Sequence, residues 1–198
     1  MTNTFYFLLF FLLFGSQAQE PSWDKVSESD GILTKIGSDP QTGFPIFEST
    51  VTINSDKQSV FKQLTDYDNL KNLLYSVSES KKLSDKDDGA VAFYYFDMPW
   101  PVSNKYTTTE EYWTISENQI DIRIESTESD YQPDDDITKI EYIKTNWTLS
   151  ATDDNTTKVT YRSTGDPMGI PNWVVKMFLS ASPKETLTNL KAKCEGSD

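Results

Sequence analysis

Apolar residues follow two different spacings in this chain. Between Val77 and Thr164 they come in short alternating runs separated by turn residues, which predicts β-strands. Residues 165–193 instead carry apolar side chains at helical spacing, with Trp173, Val174, Met177, Phe178 and Ala181 on one face. Strands followed by one amphipathic helix predict an α+β fold in which an antiparallel sheet closes around the C-terminal helix.

The strand prediction covers seven segments. They are Phe44–Ile53, Val77–Leu83, Ala90–Met98, Lys105–Ile115, Gln119–Ser126, Ile137–Leu149 and Lys158–Thr164. After the first strand, Ser55 is the predicted cap of a helix, and Asp68 starts a second short helix. The polar stretch Gln19–Gln41 predicts either a short helix and strand over the body or partial disorder.

The C-terminal helix contains a proline at position 183. Proline removes an N–H group and clashes with the preceding turn, although Ser182 and Glu185 around it form a capping box. We therefore expect a two-part helix, kinked or restarted near Ser182. Its first half, 171–179, could then move relative to the second, and the turns at 98–104 and 165–169 could act as a lid over a cavity between sheet and helix. The alternative is a permanently open entrance to that cavity.

The turn Glu117–Asn118 sets a testable register for the two strands around it. A two-residue turn puts Trp113 opposite Ile122 on the inner face. The same register puts Glu111 opposite Ile124 on that apolar face, which is unusual for a carboxylate. Glu111 is then either at an open rim or misplaced by a register error, or it is a polar group that orients a ligand in a cavity.

The first residues have the pattern of a signal peptide. The apolar run Phe5–Phe14 is too short to span a bilayer, and Ser16 and Ala18 form a small-residue cleavage site. We expect residues 1–18 to be removed and residues 19–198 to form one exported domain, secreted or periplasmic. Cys194 is the only cysteine, so packing rather than an internal disulfide must stabilise this domain.

Charge and residue content exclude several functions. A net charge of −13 argues against nucleic-acid binding and against electrostatic docking on anionic membranes. The chain has no histidine and no nucleophile or nucleotide-binding motif, so we predict no catalytic residue, metal site or cofactor. The acidic residues at 134–136 and 153–154 lack calcium-loop spacing and indicate solvated turns. Two N-x-T sequences, at Asn146 and Asn155, matter only in a host that glycosylates.

Aromatic residues are abundant, with ten Tyr, eleven Phe and five Trp. They predict an aromatic core, or a cavity between sheet and helix that suits an apolar guest. Two stretches, MPWPVSNKY (98–106) and DPMGIPNWVVKMFLSASPKETLTNL (166–190), resemble the START lipid-transfer family of the helix-grip superfamily. The resemblance covers essentially the whole chain after the leader. It implies a curved antiparallel sheet around the C-terminal helix, with a tunnel for one lipid or sterol-like molecule.

The chain departs from that family pattern at a few positions. Lys105 and Tyr106 replace an Arg-Asp pair, Lys139 replaces an arginine, and Met168 replaces a glycine. The expected function is a non-catalytic, monomeric carrier of an apolar ligand, with transient membrane contact. Alternatives are a cyclase- or hydrolase-type enzyme that uses Glu111, and a structural domain whose side chains fill the cavity. The expected ligand-binding residues are Phe93, Tyr95, Glu111, Trp113, Ile122, Trp147, Tyr161, Trp173, Met177 and Phe178.

Overall fold

The computed structural model describes residues 20–133 and 137–196. The expected leader (1–18) and the acidic run at 134–136 lie outside these residues. Ten strands form one sheet: β1 Ser22–Ser29, β2 Ile32–Ser38, β3 Pro45–Ile53, β4 Val77–Lys86, β5 Gly89–Phe96, β6 Lys105–Ile115, β7 Gln119–Ser126, β8 Thr138–Lys139, β9 Ile143–Asp153 and β10 Thr156–Gly165. Two helices accompany it: α1 Lys57–Leu64 and α2 Asn172–Glu195.

Neighbouring strands along the main path of the sheet are antiparallel. The order is β1-β2-β3-β10-β9-β7-β6-β5-β4, and the two-residue strand β8 adds to β6 in parallel. The expected strand over 137–149 is therefore wrong in its first half, since β8 ends at Lys139 and β9 begins at Ile143. The curved sheet holds α2, so the predicted α+β helix-grip architecture is confirmed.

The polar N-terminal stretch is a β-hairpin, not a helix and strand. β1 and β2 join through Asp30 and Gly31, which have φ of 57° and 74° and form a tight turn. β2 then pairs with β3 and extends the sheet by two strands. β1 was not predicted as a strand because an exposed edge strand does not need alternating apolar and polar residues.

The predicted register of β6 and β7 is confirmed. Trp113 lies opposite Ile122, and Glu111 lies opposite Ile124. Arg123 points outward and is 3.9 Å from Glu125. Glu111 itself is 1% exposed, so neither a register error nor an open rim accounts for it.

The two segments expected to be helical after β3 differ from the prediction: the first begins one residue later, and the second forms only one turn. Asp56, not Ser55, caps α1, because its carboxylate accepts hydrogen bonds from the backbone of Gln58 and Ser59. Only a single 3₁₀ turn forms at Leu70–Asn72, where a second helix was expected. Val60, Leu64 and Leu70 nevertheless point into the core, as their spacing predicted.

Helix α2 runs without interruption from Asn172 to Glu195, so the expected restart near Ser182 is wrong. Pro183 lies inside the helix and is buried. The two halves of α2 have different surroundings. Leu187 and Leu190 in the second half are fully buried in the core, whereas the first half covers a cavity described below. Neither α1 nor α2 is long and apolar enough to cross a bilayer, and the described residues form no other α-helix.

Candidate functional site

A cavity of about 260 Å³ lies between the concave face of the sheet and the first half of α2. Its floor comes from strands β3 to β7, β9 and β10, and its roof comes from α2. The roof residues are Val175, Phe178, Leu179 and Ser182 from the first half of α2 and Thr186 from the start of its second half. The side chains of the sheet and of α2 leave this space unfilled.

A stacked aromatic pair forms part of the cavity floor. Trp147 of β9 lies directly opposite Tyr161 of β10, with ring centroids 3.9 Å apart and planes 1° from parallel. The Phe47 ring packs edge-on against Tyr161 at 4.8 Å. On the other side, Tyr75 packs edge-on against Phe178 of α2 at 5.3 Å. These rings give the cavity a largely apolar surface.

Neutral hydroxyl groups supply the polar part of the wall. Thr145 Oγ1 and Ser163 Oγ are 2.8 Å apart on neighbouring strands, and the Thr107 hydroxyl donates to the Ile140 carbonyl at 3.0 Å. Burial raises the pKa of Tyr161 to about 12, although the Ser182 hydroxyl opposes this effect. Tyr161 therefore remains a neutral phenol at physiological pH.

A buried carboxylate lies directly behind this wall. Glu111 accepts hydrogen bonds from the hydroxyls of Tyr67 (2.7 Å), Tyr94 (2.7 Å) and Thr109 (3.2 Å). Burial raises the pKa of Glu111, while these three donors lower it and offset part of the effect. Tyr94 and Thr109 line the cavity and Glu111 does not, so the carboxylate is one side chain removed from a bound molecule.

The expected site residues fall into three groups. Trp147, Tyr161 and Phe178 line the cavity. Glu111, Trp113 and Ile122 are on the concave face but outside the cavity wall; Trp113 packs against Phe61 of α1 at 5.6 Å. Phe93, Tyr95, Trp173 and Met177 do not face the cavity.

Phe93 and Tyr95 point to the convex face of the sheet. Phe93 is 1% exposed because Tyr131, from the segment after β7, covers it at 4.8 Å. Tyr95 accepts a hydrogen bond from Asn104 on the same face. Their neighbours in β5, Tyr94 and Phe96, are the ones that face the cavity.

Two of the expected α2 residues also lie elsewhere. Trp173 was expected to face the concave side, but it is 55% exposed, and Val174 is the buried residue of that turn. Met177 is half-buried and lies outside the cavity wall. Lys139, which stands at the position of a family arginine, is likewise outside the wall and pairs with Glu128 and Glu141.

Sequence reasoning missed the small polar residues of the wall. Thr145 and Ser163 are at inward positions of β9 and β10, two residues from Trp147 and Tyr161. Their period-two spacing from these aromatics was the available signal, because residues two apart on a strand share a face.

Two loops border the cavity where α2 begins. Met98 from the β5–β6 loop lines the wall, as do Asp166, Pro167 and Ile170 from the loop before α2. Trp100, in the first of these loops, is 88% exposed. In the second, Met168 adopts a φ of 50°, which explains why glycine suits this position in the START pattern.

The chain is similar to known proteins over most of its length. The sequence profile of the family described as polyketide cyclase / dehydrase and lipid transport matches residues 45–195. An uncharacterised protein of Pseudomonas aeruginosa is 25% identical over 181 residues, which are 87% of each chain.

Solved structures of START proteins share the fold. A STAR-related lipid transfer protein fragment from Xanthomonas axonopodis superposes with a TM-score of 0.75 at 24% identity, over 86% of this chain and 97% of that one. Human StAR-related lipid transfer protein 5 gives 0.78 at 13% identity, over 88% of this chain and 86% of that one. The match of the family profile to residues 45–195 shows that this chain belongs to the polyketide cyclase / dehydrase and lipid transport family, and the solved structures show that it has the fold of START domains.

Proposed function

We propose that this protein is an exported carrier that binds one small apolar molecule between the sheet and the first half of α2. The observation that carries the proposal is the cavity of about 260 Å³ with the Trp147–Tyr161 stack in its floor. An apolar cavity of about 150 Å³ is large enough to bind benzene in another protein. Aromatic walls with a few polar groups are typical of small-molecule sites.

An enzymatic function on the same fold is the second candidate. It is favoured by the Tyr94–Glu111 pair, because Tyr94 lines the cavity and is hydrogen-bonded to a buried carboxylate. The cyclase and dehydrase members of the family give it further support. We prefer the carrier because the Glu111 carboxylate is already bound by three hydroxyl donors and does not face the cavity. A structural domain with a filled interior is disfavoured by the open volume under α2.

Export is part of the proposal and rests on the apolar run Phe5–Phe14 followed by Ser16 and Ala18. It is tested by expression of the full chain in a secreting host and mass measurement of the released protein. A mature N-terminus at Gln19 supports export. Retention of the intact chain inside the cell contradicts it.

Ligand binding is tested by mass spectrometry of organic extracts from the purified protein. An apolar compound retained near one-to-one supports the carrier. Leu179→Trp should abolish retention because the larger side chain fills the cavity from its roof. Lys176→Trp, on the exposed side of the same helix half, is the matched control and should keep the ligand. Equal retention by both variants would mean that the compound binds elsewhere.

A further inference from the structure

The cavity wall carries no positive charge. All 18 Lys and Arg residues belong to the described part of the chain, and none of them lines the cavity. One carboxylate, Asp166, borders it in the loop before α2. An ionised phosphate or carboxylate inside would lose its hydration without gaining an opposite charge, and burial of an unpaired charge is strongly unfavourable.

The wall instead offers a neutral hydrogen-bond donor. Thr145 and Ser163 contribute two hydroxyl protons, and the 2.8 Å bond between their oxygens uses one of them. Within the described residues neither hydroxyl has a further hydrogen-bond partner, so the other proton is available to a bound molecule.

This hydroxyl pair has a defined position in the cavity. It is one step along β9 and β10 from the Trp147–Tyr161 pair, and the next step outward is the Ile143–Gly165 pair, beside the loop that leads to α2. Residues two apart on one strand are about 6.6 Å apart. A polar group at Thr145–Ser163 would therefore leave its apolar part over the aromatic stack.

We infer that the ligand is an uncharged amphiphile whose hydrogen-bond-accepting group, such as a hydroxyl, ketone or ester oxygen, binds at the Thr145–Ser163 pair. This inference rests on the proposed carrier function. Molecules that carry a phosphate or a carboxylate are excluded from the cavity. The ligand is also compact, because 260 Å³ is below the usual range of about 300–1,000 Å³ for ligand pockets.

The test uses amphiphiles of equal chain length, titrated into the protein by calorimetry near neutral pH. High salt screens the general repulsion of anions by a chain with a net charge of −13. We expect decanol and decanone to bind at least about tenfold more tightly than decanoate and decyl phosphate. Equal or tighter binding of the anions would overturn the inference and leave the carrier function standing. Failure of all four to bind would overturn the carrier function itself, and the inference with it.

Substitution of the hydroxyl pair locates the polar group. Thr145→Val with Ser163→Ala should weaken decanol about tenfold and leave the affinity for decane unchanged. If circular dichroism shows that the double variant does not fold, the decanol affinity is measured on the single variant Ser163→Ala instead. Thr160→Val is the matched control, since Thr160 alternates with Tyr161 and points to the convex face. Unchanged decanol affinity in the folded variants would show that the polar group binds elsewhere.

Discussion

The Tyr94 hydroxyl donates a hydrogen bond of 2.7 Å to Glu111 Oε1, and this contact links the cavity wall to the most deeply buried carboxylate of the core. Tyr67 occupies the other oxygen at the same distance. Glu111 therefore holds together three places in the chain: the segment after α1, strand β5 and strand β6. This hydrogen bond fixes the position of the Tyr94 hydroxyl at the cavity wall.

Removal of the Glu111 carboxylate should destabilise the protein strongly. Glu111→Ala leaves the buried hydroxyls of Tyr67 and Tyr94 without an acceptor, at about 1–3 kcal/mol each. Glu111→Gln keeps an acceptor and should lose only about 1–2 kcal/mol. The free energy of unfolding in urea measures both. Glu110→Ala, on the outer face, is the control and should change stability by less than about 1 kcal/mol.

Equal losses for the Ala and Gln variants would show that the hydroxyls gain nothing from an acceptor at this position.

The stability difference between wild type and Glu111→Gln should depend on pH. Burial raises the pKa of Glu111, so the folded state keeps its proton above the ordinary value of 4.5, where the unfolded state loses it. The contribution of Glu111 to the wild-type free energy of unfolding is therefore fully present below pH 4.5, and it is lost as the pH rises through the pKa of the folded state. The deficit of Glu111→Gln should therefore shrink as the pH rises above about 4.5.

The comparison with the variant is needed because other carboxylates act in the opposite direction. The pKa of Glu48, beside Arg162 and Lys35, and that of Asp56, at the cap of α1, are lowered, and their stabilisation is lost as pH falls. The contributions of Glu48 and Asp56 are the same in wild type and in Glu111→Gln, so they cancel when the two unfolding free energies are subtracted. A deficit that grows with pH would mean that the folded protein favours the ionised form of Glu111.

Ligand exchange should require movement of the first half of α2. Tyr75→Cys with Phe178→Cys, in a Cys194→Ser background, places two thiols where the aromatic rings now pack against each other, so that a short bis-maleimide reagent can join them. We expect the cross-linked protein to exchange a fluorescent ligand at least about tenfold more slowly than the unlinked variant, because this half of α2 covers the cavity. Asp30→Cys with Lys184→Cys, joined by the same reagent in place of the native ion pair, ties down the second half of α2 and should leave exchange unchanged.

Equal exchange rates for the unlinked and cross-linked forms of the first pair would rule out this movement and favour a static opening.

Transfer of ligand from membranes should depend on Trp100. This side chain is 88% exposed in the loop that contributes Met98 to the cavity wall, and tryptophan partitions favourably into the membrane interface. Trp100→Ser should slow ligand uptake from zwitterionic vesicles several-fold, while affinity for free ligand stays the same. Val26→Ser removes another exposed apolar side chain, from β1, and should have no effect. Equal slowing by both variants would indicate general surface hydrophobicity.

The sequence predicted well those parts of the fold in which a short turn and apolar alternation agree. The β6–β7 register is one case, because Glu117–Asn118 leaves a single way to place Trp113 and Ile122 on one face. Strand β1 is the opposite case. Its residues are almost entirely exposed, so no apolar pattern marked it as a strand.

The site was predicted only in part, for a reason that β5 makes clear. Residues 93–96 are four consecutive aromatics, and alternation cannot say which pair faces inward. The pairing of β5 with β6 and the packing of Tyr131 on Phe93 determine which pair faces inward. Neither of these can be read from the sequence of that segment alone. The threonine and serine residues of the wall are a second case, since the same residue types are common on solvent-facing strand positions.

Among the described residues the sheet ends in two edge strands, β1 and β4, and such edges affect how a protein behaves among copies of itself. Unpaired edge strands are templates for association, and lysines and bulges at an edge oppose it. β4 carries Lys81, Lys82 and Lys86 and is bulged twice, and β1 is bulged between Trp23 and Lys25. A strand from another molecule that paired with β4 would have to remove water from the lysine ammonium groups. At either edge the bulges would also interrupt its backbone hydrogen bonds. We therefore expect the protein to stay dispersed at high concentration.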